Sequence, residues 1–162
     1  MRNTYLSFII GKEQFAINVN KVLEVLEKQN IRRVPNAPHY ITGIINFRGE
    51  IVPVFESRIK FGLDPRTEDD SYVIIVIDLS QGGYLFRIGA IVDKVKDVII
   101  IDDKDIKPVP PMSKEFNTEF LEGIYKLDNE FILLLNVDKV FTDDEMSAIR
   151  EVNNYQEDMV NN

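Results

Sequence analysis

Arg48 and Asn46 are the polar residues of this chain best placed for recognition. Both lie in a stretch of apolar runs, Ile41–Phe47 and Ile51–Phe55, interrupted only by Arg48, Gly49 and Glu50. An arginine offers a planar fork of five donors that grips carboxylates or carbonyls. Residues suited to catalysis are sparse. His39 is the only histidine, beside Tyr40 in a proline-flanked loop, and no nucleophile elbow accompanies it. Asp102, Asp103 and Asp105 bunch as cation ligands do, but the stretch lacks the turn glycine and final glutamate of a calcium loop, so a solvated strand end is the better reading. Asp69 and Asp70 are adjacent, so their carboxylates diverge and form no acid/base pair. Cysteine is absent, which removes thiol catalysis, thiolate metal sites and disulfides. There is no phosphate-binding glycine loop. No catalytic residue, cofactor site or metal site is assigned.

The arginine must be held by a hairpin. Gly49 supplies the positive φ that a tight turn requires, and short β-rich runs on both sides supply the strands. Pro53 lies in the second strand and must face an edge or bulge, since it has no N–H to donate. Upstream, Tyr5–Ile10 and Phe15–Val19 alternate as a first hairpin around Gly11-Lys12, with a brief helical turn near Val19–Leu23 and then extended chain. Ile31–Pro35 reads as a short strand, Ser57–Phe61 as one helical turn, and Pro65–Asp70 as the midpoint loop. Tyr72–Leu79 is a buried strand. Residues 84–101 form further strands with a bend at Asp93–Asp97, and a last hairpin turns at Asp128-Asn129-Glu130. Thr142 and Glu145 make a capping box, and Phe141 with Met146 a hydrophobic staple, so a helix begins there. About ten short strands with frequent turns indicate an all-β barrel or sandwich.

Across 162 residues the chain has the length of one domain, and 44% hydrophobic content can bury a core. No run spans a bilayer and no secretory signal opens the chain, so a cytoplasmic protein without direct membrane insertion is expected. The net charge of −8 opposes nucleic-acid binding. That charge is uneven. Residues 142–162 carry six acids and one base, whereas residues 28–66 carry seven bases against three acids, a basic face suited to an acidic protein partner.

Val34-Pro35-Asn36-Ala37-Pro38, Ile41-Thr42-Gly43-Ile44-Ile45-Asn46-Phe47-Arg48-Gly49, Ile51-Val52-Pro53-Val54, Arg58 and Phe61-Gly62-Leu63 together resemble the signature of the CheW family, the coupling proteins of bacterial chemotaxis. Tyr5–Val25, Val92-Asp93 with Val95 and Val98, Ile106–Pro108 and Gly123 extend the resemblance over roughly residues 4–150. The chain departs from the family at Phe47, usually leucine, at Glu56-Ser57, usually Asp-Leu, and at Lys107, often arginine.

The resemblance implies two intertwined five-stranded SH3-like β-barrels with short helical turns and a C-terminal helix. One CheW-like domain is expected over 1–155, with subdomain 1 at about 14–66, subdomain 2 at about 4–10 plus 72–141, a helix at about 142–153 and a polar tail at 156–162. Leu6, Phe8, Phe15 and Ile17 are expected on the barrel interiors. The implied function is a non-enzymatic adaptor, without cofactor, between the cytoplasmic tips of chemoreceptors and the histidine kinase CheA. It would be a monomer when free and assembled in receptor arrays at the membrane. Receptor-binding residues would be Val22, Glu24, Gly43, Asn46 and Arg48, with Gly43 leaving space for close approach. Kinase-binding residues would be Tyr72, Val73, Lys107 and Met112. CheA carries a homologous domain, but the extent of this chain suits a stand-alone coupling protein without a kinase core or CheV-type receiver. Alternatives are an adaptor of a related pathway such as surface motility, and a small barrel binding a ligand or nucleic acid.

Overall fold

The computed structural model describes residues 1–81, 83–110 and 118–161, with the side chains of residue 81 and of residues 154–161 left aside. Among the described residues eleven strands form two sheets. The first half of the chain runs β1 (Arg2–Ile10), β2 (Glu13–Asn18), a 3₁₀ turn at Val19–Lys21, β3 (Val22–Leu26), β4 (Ile41–Phe47), β5 (Glu50–Glu56) and α1 (Ser57–Lys60). The second half runs β6 (Val73–Gln81), β7 (Tyr84–Val92), β8 (Lys94–Asp102), a 3₁₀ turn at Asp103–Asp105, β9 (Ile106–Lys107), β10 (Leu121–Leu127), β11 (Glu130–Leu135), a 3₁₀ turn at Val137–Lys139 and α2 (Asp143–Asn161).

The two halves repeat one plan. Each opens on a hairpin, sends its next strand to the edge of the other sheet, and closes on a second hairpin followed by a helix. The sheet orders are β8-β1-β2-β11-β10-β9 and β3-β6-β7-β5-β4. Hairpin β1–β2 therefore completes the sheet built from the second half, and hairpin β6–β7 completes the sheet built from the first. The halves are intertwined, but not along the expected boundaries of 14–66 and 4–10 plus 72–141. Glu13–Asn18 stays with β1, paired from Tyr5↔Asn18 to Ile10↔Glu13, and β6–β7 joins β3 and β5. The reason is local. A two-residue turn at Gly11-Lys12 commits its flanking strands to each other, and separating them would strand a whole ladder of amides.

The second sheet has the expected five strands and the first has six. The two-residue β9 makes the first sheet six-stranded, whereas its counterpart in the second sheet, expected as a strand over Ile31–Pro35, is a single bridge, Arg32↔Ile44. Pro35 and the positive φ of Asn36 (61°) turn the chain away after that bridge. Both sheets nevertheless curl shut. Ile99 and Ile101 from one edge and Ile106 from the other meet in a cluster with Tyr5, Ile132 and Leu134. Leu23 and Leu26 from β3 likewise meet Ile45 and Phe47 from β4.

The largest core lies between the sheets, and here another expectation is corrected. Leu6, Phe8, Phe15 and Ile17 are not inside a barrel. They face Ile75, Ile77, Ile88 and Phe55 of the other sheet. Barrel interiors this narrow take mainly aliphatic side chains, so most of the phenylalanines collect outside, where stacked rings run from Phe8 to Phe15, Phe61 and Phe120 at centroid distances of 6.1, 5.6 and 5.4 Å. Helix α2 seals this core with Met146 and Ile149. Its capping box forms as the sequence predicts: the Thr142 N–H donates to Glu145 Oε1 (2.9 Å) and the Glu145 N–H to Thr142 Oγ1 (3.1 Å). The helix runs to Asn161 rather than 153, so residues 156–161, expected as a polar tail, form its last turns. No Pro or Gly occurs there to stop it.

Candidate functional site

Strands β4 and β5 turn at Arg48 and Gly49, with Phe47 paired to Glu50. Both turn residues have positive φ, 52° and 85°, the type I′ pattern whose twist matches a hairpin. Gly49 takes this conformation freely. Arg48 does not, and an L-residue held there costs on the order of 1 kcal/mol. Asn46 offsets part of that by accepting the Gly49 N–H on Oδ1 (2.9 Å). The Arg48 guanidinium stacks on Phe47 (4.8 Å to the centroid) and meets Glu24 of β3 with Nη2 at 3.3 Å from Oε2, while its side chain stays 62% exposed. Val22, half buried at the start of β3, packs on the shared core. Glu24, Asn46 and Arg48 thus form one exposed polar group across the two edge strands of the second sheet. Of the two internal partners open to Arg48, Glu24 is the one used, because Glu50 is held by Arg87 at 2.8 Å.

Gly43 is placed differently from the rest. It is buried, and a Cβ there would collide with the carbonyl oxygen of Arg32 and come within 2.9 Å of Ile31 Cγ2. The close approach it permits is that of the chain's own backbone, at the bridge in which the Arg32 N–H donates to Ile44 O and the Ile44 N–H to Arg32 O (2.9 and 2.8 Å). Within the chain, Gly43 positions the hairpin against the Arg32 strand segment. Gly123 does the same for Lys107 in the other sheet.

The second group of residues is divided between the sheets. Tyr72 precedes β6 and is half buried, with Lys28 Nζ and Arg66 Cζ each 5.7 Å from its ring centroid. Burial pushes its phenol pKa up, with the nearby Arg66 charge opposing. Val73 packs on the shared core opposite Val92. Lys107 is exposed on β9 opposite Ile124. Met112 lies outside the described residues.

Sequence reasoning missed a cluster that holds Tyr72 in place. Asp93, at the β7–β8 crossover, takes Arg58 side-on (Nη2–Oδ2 2.7 Å, Nε–Oδ1 3.1 Å), Arg66 (Nη2–Oδ1 2.7 Å) and the Gly11 N–H (2.8 Å). Arg66 also reaches Glu56 (3.1 Å) and the Ser71 carbonyl (3.2 Å). Burial works against charge on Asp93, but hydrogen bonds from Arg58, Gly11 and Arg66 outweigh it and hold the pKa below the usual carboxylate range. The cluster ties the β1–β2 turn, α1 and the 64–71 loop together. The groups are separated by up to 82 residues, and no spacing rule joins them. The acids at 102–105 have a structural role: Asp102 Oδ1 caps the 3₁₀ turn by accepting the Lys104 N–H at 3.2 Å.

Residues 4–145 match the family model for the CheW-like domain. A chemotaxis protein CheW of Klebsiella aerogenes is 31% identical over 91% of this chain and 87% of its own length. The one from Helicobacter pylori is 30% identical over 86% and 82%. Among solved structures, the scaffolding protein TtCheW of Thermoanaerobacter tengcongensis superposes with a TM-score of 0.77 at 32% identity, covering 90% of this chain and 96% of that one. This chain belongs to the CheW-like domain family, with the all-β fold and C-terminal helix of that scaffold protein.

Proposed function

We propose that this protein is a non-enzymatic chemotaxis adaptor that joins chemoreceptor tips to the histidine kinase CheA. The observation that carries the reading is the exposed Arg48–Glu24–Asn46 group at a hairpin tip, in a chain matching chemotaxis scaffold proteins along nearly its full length. A receptor tip is a helical hairpin. Val22 offers it an apolar contact and Arg48 a fork for carboxylates or helix-end carbonyls. The kinase is bound through other residues, Tyr72, Val73, Lys107 and Met112. Among the described residues no helix is long and apolar enough to cross a membrane, so the adaptor reaches the array through its partners.

The test is a pull-down with receptor tip and CheA regulatory domain, separately and together. The wild-type chain is expected to bridge the two. Arg48→Ala should lose the receptor and keep the kinase, and Lys107→Glu should do the reverse. Either variant losing both partners equally would refute separate surfaces, and wild type binding neither would refute the adaptor reading.

A further inference from the structure

Six basic side chains among the described residues are half buried: Lys21, Arg58, Lys60, Arg66, Arg87 and Arg150. The first five each have a carboxylate oxygen at 2.7–3.0 Å. Arg150 has none among the described residues. Its guanidinium carbon lies 4.4 Å over the ring of Tyr84, and its Nε is buried without a hydrogen-bond partner. Asn153, three residues on along α2, has its Oδ1 buried and likewise unpartnered.

The fold explains the placement. Strand β3 covers β6 only from Ile74 to Ile77, and β5 covers β7 only from Gly89 to Ile91. Asp78–Arg87 therefore project as a two-stranded arm, with the Ser80 N–H on one edge donating to Asp138 Oδ1 (2.8 Å). Alternation puts Tyr84 on the same face as Phe86 and Ile88, toward the shared core. Tyr84 is the last residue of that face and stays 60% exposed. Ile149 turns α2 into the core, and Arg150 follows it onto this ring.

We infer that the Arg150–Tyr84 platform receives a single carboxylate side chain, flanked by an apolar residue, from an extended segment of a partner protein. A guanidinium held over an aromatic ring with its Nε buried presents the N–H groups of its two terminal nitrogens to a carboxylate. Among the described residues this half-buried guanidinium lacks the counter-charge that the other five half-buried bases have, and a carboxylate supplies it. The exposed part of the Tyr84 ring covers the apolar flank. Asp143, Asp144, Glu145 and Glu151 on the same helix repel a run of acids, so one carboxylate is selected and not an acidic tract.

The full chain, ¹⁵N-labelled, is titrated with the peptide acetyl-Leu-Asp-Leu-amide, and the Arg150 Nε–H and Asn153 side-chain amide signals are followed. Saturable shifts of both are expected, with at least tenfold weaker binding for the Asn analogue of the peptide and for Arg150→Gln. Arg150→Gln must keep the wild-type spectrum elsewhere; Arg150→Lys, tested in parallel, should bind with intermediate strength because it keeps the charge without the fork. Equal binding of the Asp and Asn peptides, or no shift at either signal, would overturn the inference. So would identical shifts with inorganic phosphate, which would mark a bare anion site. Concentration-dependent dimerisation lost in Arg150→Gln would make a second copy the occupant instead of a partner peptide.

Discussion

At the β4–β5 tip, Arg48 meets Glu24 at 3.3 Å with 62% and 41% of their side chains exposed. At the β7–β8 crossover, Arg58 and Arg66 meet Asp93 at 2.7 Å with 14% and 9% of their side chains exposed. The ion-pair chemistry is the same and the surroundings differ. An exposed pair is worth about 0.2–1 kcal/mol, because water and salt screen it and two long side chains must be ordered. A desolvated pair contributes little over an apolar substitute, but breaking it strands a charge at about 3–5 kcal/mol. The crossover cluster is thus committed to the fold, whereas the tip can exchange its internal partner for an external one at small cost. Affinity for a partner is available where the intramolecular bond is weak.

The largest effect that separates the two regions is expected from Asp93→Ala. It leaves Arg58, Arg66 and the Gly11 amide without their shared acceptor and should destabilise by about 3–5 kcal/mol. Chemical denaturation measures it, and a loss below 1 kcal/mol would place the cluster in the same class as the tip. Acid should act through the same residue. The folded pKa of Asp93 is depressed, so its stabilisation is complete above the unfolded value of about 4 and is lost as pH falls from there through the folded pKa. Stability measured between pH 6 and pH 2 should therefore fall less steeply in Asp93→Asn than in wild type; equal slopes would mean that other carboxylates carry the acid response.

An intermediate case comes from the helix. Thr142→Ala removes the acceptor of the Glu145 N–H and should cost about 1 kcal/mol. Glu145 is also held by Lys60 at 3.0 Å, so the carboxylate stays in place and only the cap is lost. A thermal midpoint identical to wild type would show that packing of Met146 and Ile149 alone sets the start of α2.

These cases also mark how far the sequence was legible. Local signals were read directly: the alternation of β1 and β2, the Gly49 turn, the Thr142–Glu145 box and the bend at Asp93 each depend on residues a few positions apart. Membership of the sheets was not, because which barrel a hairpin completes depends on contacts between distant segments. For the same reason Phe8 and Phe15 were placed inside a barrel. Alternation tells which residues share a face, but not whether that face turns inward or toward a second sheet. Gly43 was read as leaving room for a partner, since nothing nearby in the sequence reveals that Arg32 crosses over it. The Asp93 cluster had no linear signature at all.

The smallest effect on stability, and the largest expected on binding, falls at Arg48. Arg48→Ala removes an exposed ion pair and an exposed stack on Phe47, each worth less than about 1 kcal/mol. It keeps the positive φ of the turn, so the strain remains. Arg48→Gly removes the same contacts but also the strain, and should recover up to about 1 kcal/mol relative to the alanine variant. If Arg48 serves a partner, both variants should bind the receptor tip at least tenfold more weakly, about 1.4 kcal/mol, although their thermal midpoints differ. That pattern separates binding from folding at one residue. A glycine variant that is more stable than the alanine variant and also retains the receptor would assign the strained arginine to the hairpin alone, and the proposed receptor contact would have to move to Val22 and Glu24.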